Sequence, residues 1–494
     1  MKGVSIARGM TICVMGIFLS LCANEQAVPE KPMVVVIPSY NNSSYYQKNL
    51  DSVFSQHYTN YRVIYIDDCS PDGTGDLVKK YIIEHGQEHR VTLIKNEQRR
   101  GALANHYAAC HSCQNHEIVV QLDGDDWLKH EHVLATVNKA YQDPNVWLVY
   151  SQHEMCPPSG DVIKDRTIPQ AIIKLHAYRE YRWVASALRT FYAGLFKRIK
   201  LQDLLYNGAF FDVTCDLAFM FPMLEMTGGK LKWIDEVLYV YNVGTSINDF
   251  KVRGAKQLRM DNIIRARDKY EPLKIPPYLP FAPTDCRAEL VIFAENAQNL
   301  QRLLNSISLY VSGIGHTTVF YAPTDIQSFE EKQAYQACQG HHSTANYIHL
   351  DSQTPLKPAL ISCVSSTACD YLMFARDTNV FSNFVDLAEC AVLLEKTGAY
   401  GFYFGLAKNK TSSRFLSREP KMPPAVEFEP GVFAWQFITG EYDWRMAHNV
   451  ALTLYRKKDI TPYLSDMTYD SIWQLHHAFE KVPASYVAIG LFGK

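Results

Sequence analysis

Three carboxylates stand close together in the stretch Gln121–Trp127. The stretch follows the apolar run Ile118–Val120 and carries Asp123, Asp125 and Asp126. A short β-branched run that ends in carboxylates is typical of a buried strand that delivers acidic side chains to the carboxyl edge of a sheet. Such carboxylates repel one another, and oxygen ligands at this spacing suit Mg²⁺ or Mn²⁺. The stretch therefore predicts a divalent metal site, and a solvated Asp-Gly turn is the alternative.

Apolar runs alternate with helical stretches over residues 33–122. The predicted strands cover residues 33–37, 61–66, 91–95 and 118–122, and the predicted helices include residues 76–85 and 105–113. Strands that alternate with helices indicate βαβ units and a parallel sheet with right-handed crossovers. Because the carboxyl ends of parallel strands share one edge, polar residues that follow these strands should converge on one nucleotide-binding cleft. They are Asn41, Asp67, Asp68, Asp123 and Asp125.

Four motifs in this region resemble those of the family 2 glycosyltransferases of GT-A fold. In chain order they are Val34–Asn41, Ile66–Thr74, Arg100–Asn105 and Leu122–Leu128. Four motifs in the same order make a specific match, whereas one alone would not. The resemblance covers about residues 33–270 and implies an α/β, Rossmann-like nucleotide-diphosphosugar transferase domain.

The resemblance also implies where the nucleotide would bind. Pro38, Tyr40 and Asn41 would line the pocket for the base. Asp67 or Asp68 would contact the base or the ribose.

The same resemblance implies how the diphosphate would be held. Arg100 would lie near the phosphates, Asp123 would contact the ribose, and Asp125 would hold Mg²⁺ or Mn²⁺ on the diphosphate. A leaving nucleoside diphosphate carries several negative charges, and a metal ion neutralises them without a proton transfer.

An inverting transfer also requires a base near the acceptor hydroxyl. Residues Phe210–Ala218 resemble the acidic pair that the family places at the head of a helix below the acceptor site, which implies Asp216 as the general base. The first acid of that pair is Cys215 here, and whether Asp212 substitutes for it stays open. An ordinary Asp favoured by a helix N-terminus is the alternative for Asp216.

Two further segments extend the resemblance. Residues 182–184 and 188–191 resemble the segment that shapes the acceptor side, and as bare residues they predict an amphipathic helix. Residues 238–242 resemble the closing strand of the domain. Many members place a metal-binding His after that strand, but none occurs between Val243 and Lys251. Asn248 or Asp249 would serve instead, or Asp125, diphosphate and water would hold the ion.

The sequence of the second half predicts a degenerate repeat of the first half. Residues 271–284 are rich in proline and predict a stiff linker. Beyond it, residues 285–494 repeat the order of strands and helices, which predicts a second, degenerate GT-A-like α/β domain. Of the acidic cluster only Asp377 remains, so a structural or acceptor-recognition role is favoured over a second active site.

The N-terminus differs in kind from the rest. Lys2 and Arg8 precede the apolar residues 10–23, and residues 1–32 therefore predict a signal peptide or an N-terminal membrane anchor. The expected location is at a membrane through residues 10–23. Cytoplasmic and secreted or lumenal locations are the alternatives.

Composition limits the choice of function. The chain has 494 residues and a formal net charge of −2, so it has no bulk attraction to nucleic acid, which is not an expected partner. The resemblance implies an inverting, metal-dependent glycosyltransferase with a nucleotide-sugar donor, a uridine diphosphate sugar by preference. The acceptor would be a glycan, lipid or protein. A non-catalytic sugar-binding or scaffolding protein on a worn glycosyltransferase fold is the alternative.

Overall fold

The computed structural model describes residues 28–157, 167–245, 254–279, 287–322, 329–406, 421–482, 485 and 488–493. The apolar segment at residues 10–23 lies outside the described residues, as do Asn248 and Asp249. The predictions that rest on them stay predictions.

The apolar runs of the first half form the predicted strands, and helices connect them. The elements up to the acidic stretch are β1 (Met33–Ser39), α1 (Tyr46–Phe54), β2 (Tyr61–Asp67), α2 (Thr74–Glu84), β3 (Val91–Lys95), α3 (Ala102–Ser112) and β4 (Ile118–Gln121). Every residue of β1 and of β4 is buried. Strands buried on both faces are typical of the centre of a parallel sheet.

The rest of the first half adds shorter strands and the helices around them. These elements are β5 (Trp127–Leu128), α4 (Val133–Tyr141), β6 (Leu148–Cys156), α5 (Gln170–Lys174), β7 (Arg189–Tyr192), α6 (Ala193–Phe196), a 3₁₀ turn (Leu201–Leu204), β8 (Leu205–Tyr206), β9 (Ala209–Phe210), α7 (Cys215–Thr227), β10 (Leu231–Asn242) and α8 (Gly254–Arg265). β8 and β9 pair only with each other, and the other strands join the main sheet.

The main sheet has eight strands in the order β3-β2-β1-β4-β7-β6-β10-β5. β1 pairs in parallel with β2 and β4, and β2 pairs in parallel with β3. In this register Ser39 lies opposite Asp67, and Val36 lies opposite Gln121. The carboxyl ends of β1, β2 and β4 therefore meet at one edge, which brings the motif residues to the same side of the sheet.

The second half forms an α/β domain with its own sheet. Its elements are β11 (Ala288–Ala294), α9 (Ala297–Tyr310), β12 (Val311–Ser312), β13 (Ile314–Tyr321), α10 (Phe329–His341), β14 (Asn346–His349), α11 (Leu356–Ser366), β15 (Tyr371–Arg376), β16 (Val385–Asp386), α12 (Leu387–Thr397), β17 (Gly401–Tyr403), β18 (Ala425–Glu429), β19 (Val432–Gln436), 3₁₀ turns (Phe437–Thr439 and Tyr442–Arg445), β20 (Thr453–Arg456), α13 (Lys457–Asp466), α14 (Ile472–Glu480) and β21 (Ile489–Gly493).

The two sheets repeat one topology. The second sheet has the order β14-β13-β11-β15-β20-β17-β21-β19-β18. From β14 to β19, each neighbouring pair has the same parallel or antiparallel direction as its counterpart from β3 to β5. The chain order differs only at the outer strand, because β5 precedes β6 whereas β19 follows β17. The predicted second α/β domain is confirmed, and the exact domain boundaries stay predictions.

The described part of the predicted linker lies against the first domain. The amide of Leu273 donates to the carbonyl oxygen of Met226 at 2.9 Å. The Tyr278 ring packs edge-on against Tyr192, with centroids 5.1 Å apart. No helix within the described ranges is both long enough and apolar enough to cross a membrane.

The amphipathic helix predicted for residues 182–184 and 188–191 is wrong. Residues 182–184 have no regular structure, and residues 189–192 form strand β7 between β4 and β6. All four residues of β7 are buried, and strand pairing on both sides outweighs a weak helical pattern.

Candidate functional site

The loop after β1 is held by the motif that follows β2. The backbone amide of Asn41 donates to Ser70 Oγ at 3.0 Å, and the amide of Asn42 donates to Thr74 Oγ1 at 3.0 Å. Asn41 has a left-handed backbone with φ of 58°. Its side-chain Oδ1 is buried and has no hydrogen-bond partner in the described part of the chain. Because an unpaired buried amide oxygen is costly, Asn41 is suited to receive a polar group of a ligand.

Pro38 and Tyr40 stand on either side of the end of β1. The carbonyl oxygen of Pro38 accepts a hydrogen bond from the amide of Gly124 at 3.1 Å. The Arg99 guanidinium lies 3.8 Å from the centroid of the Tyr40 ring. This cation–π contact joins the loop after β1 to the segment that carries Arg100. Arg99 was not predicted as a site residue, although it directly precedes Arg100 of the motif.

The two carboxylates after β2 have different surroundings. Asp68 accepts hydrogen bonds at 2.8 Å from the amides of Arg100 and Gly101 and from the side chain of Asn96. Burial raises the pKa of Asp68, but these bonds together lower that pKa below its ordinary value. Asp67 is equally buried, and its Oδ1 has no hydrogen-bond partner among the described residues. Asp68 therefore fixes the start of α3, and Asp67 is the better placed of the two to bind a ligand.

Arg100 lies where the two domains meet. Its side chain is exposed, and its guanidinium lies 3.5 Å from the carbonyl oxygen of Glu427 in β18. A cation beside the start of α3 suits a phosphate, because helix N-termini also attract anions.

The acidic turn after β4 is tightly packed around Gly124. A Cβ at this position would lie 2.6 Å from Asn42 Nδ2 and 2.7 Å from Ser39 Oγ. The side-chain amide of Asn49 donates to the carbonyl oxygens of Asp123 at 3.0 Å and Asp126 at 2.7 Å. The turn is therefore held by α1 and by the loop after β1, and it is not a solvated tip.

Asp126 links the acidic turn to β10. It is fully buried, and its carboxylate accepts from the Tyr239 hydroxyl at 2.5 Å and from the amide of Asn242 at 2.7 Å. The Tyr239 hydroxyl also accepts from the amide of Asp123 at 3.2 Å. Burial and the neighbouring charges of Asp125 and Asp123 raise the pKa of Asp126 well above its ordinary value. Asp126 holds the turn in place, a role that the sequence analysis did not assign.

Asp123 and Asp125 are half-buried at the open side of the turn. Burial, and then the charge of Asp123, raise the pKa of Asp125 to about 7. Burial also raises the pKa of Asp123, although the charge of Arg189 and a hydrogen bond from Gln121 lower it in part. Negative charge is thus costly at this turn, and a bound cation would offset that cost.

Arg189 connects the acidic turn to the candidate base. It begins β7, where it pairs with Gln121 at the end of β4. Its Nη1 donates to Asp216 Oδ2 at 2.9 Å. Its Nε is buried without a hydrogen-bond partner among the described residues. No such role was predicted for Arg189, and the available signal was a basic residue inside the run Leu188–Phe191.

Asp216 lies in the first turn of α7 and is reachable by an acceptor, because its side chain is 28% exposed. Its neighbour Cys215 donates through Sγ to the carbonyl oxygen of Phe211 at 3.2 Å. Asp212 is paired at 2.5 Å with Lys256 at the start of α8. Whether Asp212 replaces the family's missing acid stays a prediction.

His106 contacts Gln121, the residue that ends β4 just before the acidic turn. It is 2% exposed, and its Nε2 accepts a hydrogen bond from Gln121 Nε2 at 3.2 Å. Burial, with a contribution from the charge of Arg189, lowers its pKa to about 3. His106 is therefore neutral at physiological pH, and its part is to orient Gln121 beside Asp123. Nothing in the sequence pattern distinguished it from an ordinary core histidine.

At the equivalent edge of the second domain's sheet, backbone amides already bind the carboxylate of Asp377. Asp377 follows β15 and is 3% exposed. Its Oδ2 accepts from the amides of Glu295 and Asn296, both at 2.8 Å. Asp377, the acid that remains of the acidic cluster, therefore fixes the start of α9, which agrees with a structural role.

The residues at the acidic turn fit a divalent ion that takes only some of its ligands from the protein. Across the residues that the structure describes, no group of three His, Cys, Asp or Glu side chains could hold a metal by itself. Asp123 and Asp125 supply carboxylate oxygens, and Asp125 has the raised pKa expected of a site that favours a cation. One or two carboxylates with substrate phosphates are the usual way to hold Mg²⁺.

Comparison with known proteins identifies the first domain. The family model for Glycosyl transferase family 2 matches residues 34–204, which span β1 to the 3₁₀ turn before β8. The N-terminal domain therefore carries a family 2 glycosyltransferase match over residues 34–204, and the prediction of that family from its motifs is confirmed for this region.

Curated relatives match the chain in the same region. A putative teichuronic acid biosynthesis glycosyltransferase of Bacillus subtilis, TuaG, is 36% identical over 101 residues, which are 20% of this chain and 38% of the relative. The glycosyltransferase GlyA of Streptococcus pneumoniae is 29% identical over 107 residues, 22% of this chain and 15% of the relative. The matched segment thus spans well under two thirds of either relative.

Two solved structures resemble the chain more loosely. Residues 1–349 of S. aureus TarS in complex with UDP share 18% identity at a TM-score of 0.34, covering 49% of this chain and 67% of the other. The mannosyltransferase PcManGT from Pyrobaculum calidifontis, in complex with GDP-Man and Mn²⁺, shares 22% identity at a TM-score of 0.37, covering 51% and 67%. At such scores the likeness is too weak to bear on function.

Proposed function

We propose that the protein is an inverting, metal-dependent glycosyltransferase. It moves a sugar from a nucleoside diphosphate donor to an acceptor hydroxyl. The observation that carries this proposal is the pairing of Arg189 with Asp216 next to the acidic turn, in a domain whose residues 34–204 match the family 2 model. The donor-binding acids and the base for the acceptor would thus both lie next to the buried guanidinium of Arg189.

The nucleotide would lie along the loops after β1 and β2. Pro38, Tyr40 and Asn41 would surround the base, and the unpaired buried oxygens of Asn41 and Asp67 would accept its hydrogen-bond donors or those of the ribose. Asp123 would contact the ribose. Asp68 acts indirectly, because it holds the amides of Arg100 and Gly101 at the start of α3.

Asp125 would hold Mg²⁺ or Mn²⁺ together with the diphosphate. When bound, the ion supplies positive charge to the leaving nucleoside diphosphate. Arg100 would add a second positive charge from the start of α3, and preorganised charges of this kind stabilise the transition state.

Asp216 would take the proton of the acceptor hydroxyl as that oxygen attacks the anomeric carbon. Arg189 holds Oδ2 of Asp216, which leaves the other carboxylate oxygen for the acceptor. Attack from the side opposite the leaving diphosphate inverts the anomeric centre, and general-base help of this kind contributes about 10²–10⁴-fold to a rate.

The identities of donor, acceptor and location are further parts of the proposal. The donor would be a uridine diphosphate sugar, and the acceptor a glycan, lipid or protein. Residues 10–23 would bring the enzyme to a membrane. The alternative function is a non-catalytic sugar-binding or scaffolding protein, which the replacement of the first acid by Cys215 favours.

Thermal unfolding with a panel of uridine and guanosine diphosphate sugars tests the proposal. We expect one donor to raise the melting temperature in Mn²⁺ and not in chelator, because a ligand that binds only the folded state stabilises it by about 2.7 kcal/mol at 100 times its Kd. The Asp125→Asn variant should lose the metal-dependent part. No shift with any donor would support the non-catalytic alternative.

A further inference from the structure

The hairpin β8–β9 stands apart from the main sheet, immediately before the candidate base. Its strands pair Leu205 with Phe210 and Tyr206 with Ala209. The two turn residues, Asn207 and Gly208, have positive φ values of 51° and 78°. An Asn-Gly turn with two left-handed residues is the tight, well-defined connection of a two-residue hairpin.

The second domain holds this hairpin at its turn. Gln436, the last residue of β19, is 2% exposed. Its Oε1 accepts a hydrogen bond from the amide of Gly208 at 2.7 Å, and its Nε2 lies 3.5 Å from the carbonyl oxygen of Leu205. A Cβ at position 208 would lie 2.8 Å from the carbonyl oxygen of Pro424, just before β18. Gln436 at the end of β19 and Pro424, just before β18, therefore both lie against the hairpin.

The hairpin in turn fixes the segment that leads to Asp216. Phe211 follows β9, is 2% exposed and donates through its amide to the carbonyl oxygen of Leu204 at 3.2 Å. The Tyr206 ring stacks on Phe211 with centroids 6.1 Å apart. Cys215 donates to the carbonyl oxygen of Phe211, so the first turn of α7 is joined to the end of the hairpin.

The same strand pair also reaches the donor side, since the carbonyl oxygen of Glu427 in β18 lies 3.5 Å from the Arg100 guanidinium. One edge of the second domain thus borders both a predicted phosphate ligand and the hairpin before the predicted base. Catalysis is sensitive to such placement, because a displacement of about 1 Å can cost about 10²-fold in rate.

We propose that the second domain positions the base of the first, with Gln436 as the positioning residue. Gln436 acts through the β8–β9 hairpin and does not touch the reacting groups. This inference rests on the proposed function and assigns a role to the worn repeat. Loss of the Gln436 hydrogen bonds should misplace Asp216 while the donor site stays intact.

The test compares three variants of the full chain. Gln436→Met keeps the length of the side chain and removes both hydrogen bonds, whereas Gln436→Glu keeps an oxygen that can accept from Gly208. Asn138→Leu is the matched control. It also removes a buried side-chain amide that bridges two backbone groups, the amide of Lys31 and the carbonyl oxygen of Pro29, both at 3.1 Å.

Two readouts separate positioning from general stability. One is amide hydrogen exchange over residues 205–216. The other is the release of nucleoside diphosphate, with water as acceptor, from the donor that stabilises the wild type. For Gln436→Met we expect faster exchange in this segment and a kcat lower by about 10- to 100-fold, with the KM for donor changed by less than about twofold. Gln436→Glu should recover most of the rate, and Asn138→Leu should match the wild type in both readouts.

Unchanged exchange in Gln436→Met, or equal rate losses in Gln436→Met and Asn138→Leu, would overturn the inference. If the wild type releases nothing from any donor, the proposed function fails instead. The exchange measurement still decides whether Gln436 holds the hairpin.

Discussion

The pKa of Asp125 reflects both the burial of the acidic turn and the negative charge within it. Burial and the charge of Asp123 disfavour its ionised form, and its pKa is about 7. A metal ion and a proton therefore compete for the same carboxylate near neutral pH. The sequence could predict the acids from their spacing. It could not predict which of them would be buried, since that depends on Tyr239 and Asn49, which are distant in the chain.

The first prediction concerns the pH dependence of stability. The ordinary pKa of an Asp is 3.8 and the folded pKa of Asp125 is about 7, so the folded state holds the proton more tightly. The stabilisation from this proton is complete below the ordinary pKa and is lost as pH rises through the folded one. In chelator, Asp125→Asn should therefore unfold at a higher temperature than the wild type at pH 8, by about 2–4 °C for each kcal/mol gained. The difference should vanish near pH 4, and an equal difference at both pH values would contradict the account.

The same titration governs metal binding. Protonation of Asp125 below about pH 7 removes a metal ligand, so the Mn²⁺-dependent stabilisation by donor should weaken as pH falls from 8 to 6. Thermal unfolding with donor at each pH measures this. A metal effect that is constant over the range would exclude Asp125 as the ligand.

A second residue-scale prediction concerns Arg189. Arg189→Met removes the partner of Asp216 and the charge beside Asp123, and nucleoside diphosphate release should fall by about 10²-fold. Arg189→Lys keeps the charge and should lose less. Arg62→Met is the matched control, because it breaks an Arg–carboxylate pair with Glu117 near the other end of the strands. Equal losses in Arg62→Met and Arg189→Met would reduce Arg189 to a structural role.

At the scale of elements, the local pattern predicted the first half of the sheet well and β7 badly. β1, β2 and β4 are apolar runs with polar residues after them, and that local signal is sufficient for a parallel sheet. The run Leu188–Phe191 resembles part of an amphipathic helix because its strand character arises only from pairing with β4 and β6, which are remote in sequence. The link from Asp68 to the start of α3 was also missed, since it depends on a turn conformation that no spacing encodes.

The turn between β4 and β5 gives the element-scale prediction. Gly124→Ala places a Cβ 2.6 Å from Asn42 Nδ2 and 2.7 Å from Ser39, so the turn must move away from the loop after β1. We expect a loss of about 1–3 kcal/mol in unfolding free energy and the loss of metal-dependent donor binding. Gly405→Ala is the control, because a Cβ there meets nothing within 4 Å. Unimpaired donor binding in Gly124→Ala would show that the two loops do not form one site.

At the scale of the whole molecule, the two domains share one sheet topology but differ in their predicted roles. The first carries the candidate site, and the second contacts the hairpin before Asp216. The sequence predicted the repeat from strand order, and the lost acids favoured a structural or acceptor-recognition role for the second copy over a second active site. Its contact with the hairpin before Asp216 could not be predicted, because Gly208 and Gln436 are more than two hundred residues apart in the chain. The prediction of a membrane location through residues 10–23 stays open.

The number of donor sites is the prediction at this scale. We expect one nucleotide sugar per chain, because Asp377 is already bound to the amides of Glu295 and Asn296. Isothermal titration should give a stoichiometry near one, and Asp377→Asn should leave the donor affinity unchanged while it lowers stability. Two sites per chain would mean that the second domain also binds a donor.

The most direct test of the central claim is the rate of nucleoside diphosphate release by the wild type and by Asp216→Asn, in Mn²⁺ with the donor found by thermal unfolding. We expect Asp216→Asn to bind this donor as the wild type does and to release product at least about 100-fold more slowly, because only the general base is lost. Release at the wild-type rate would contradict the assignment of Asp216, and no release by the wild type from any donor would contradict the glycosyltransferase itself.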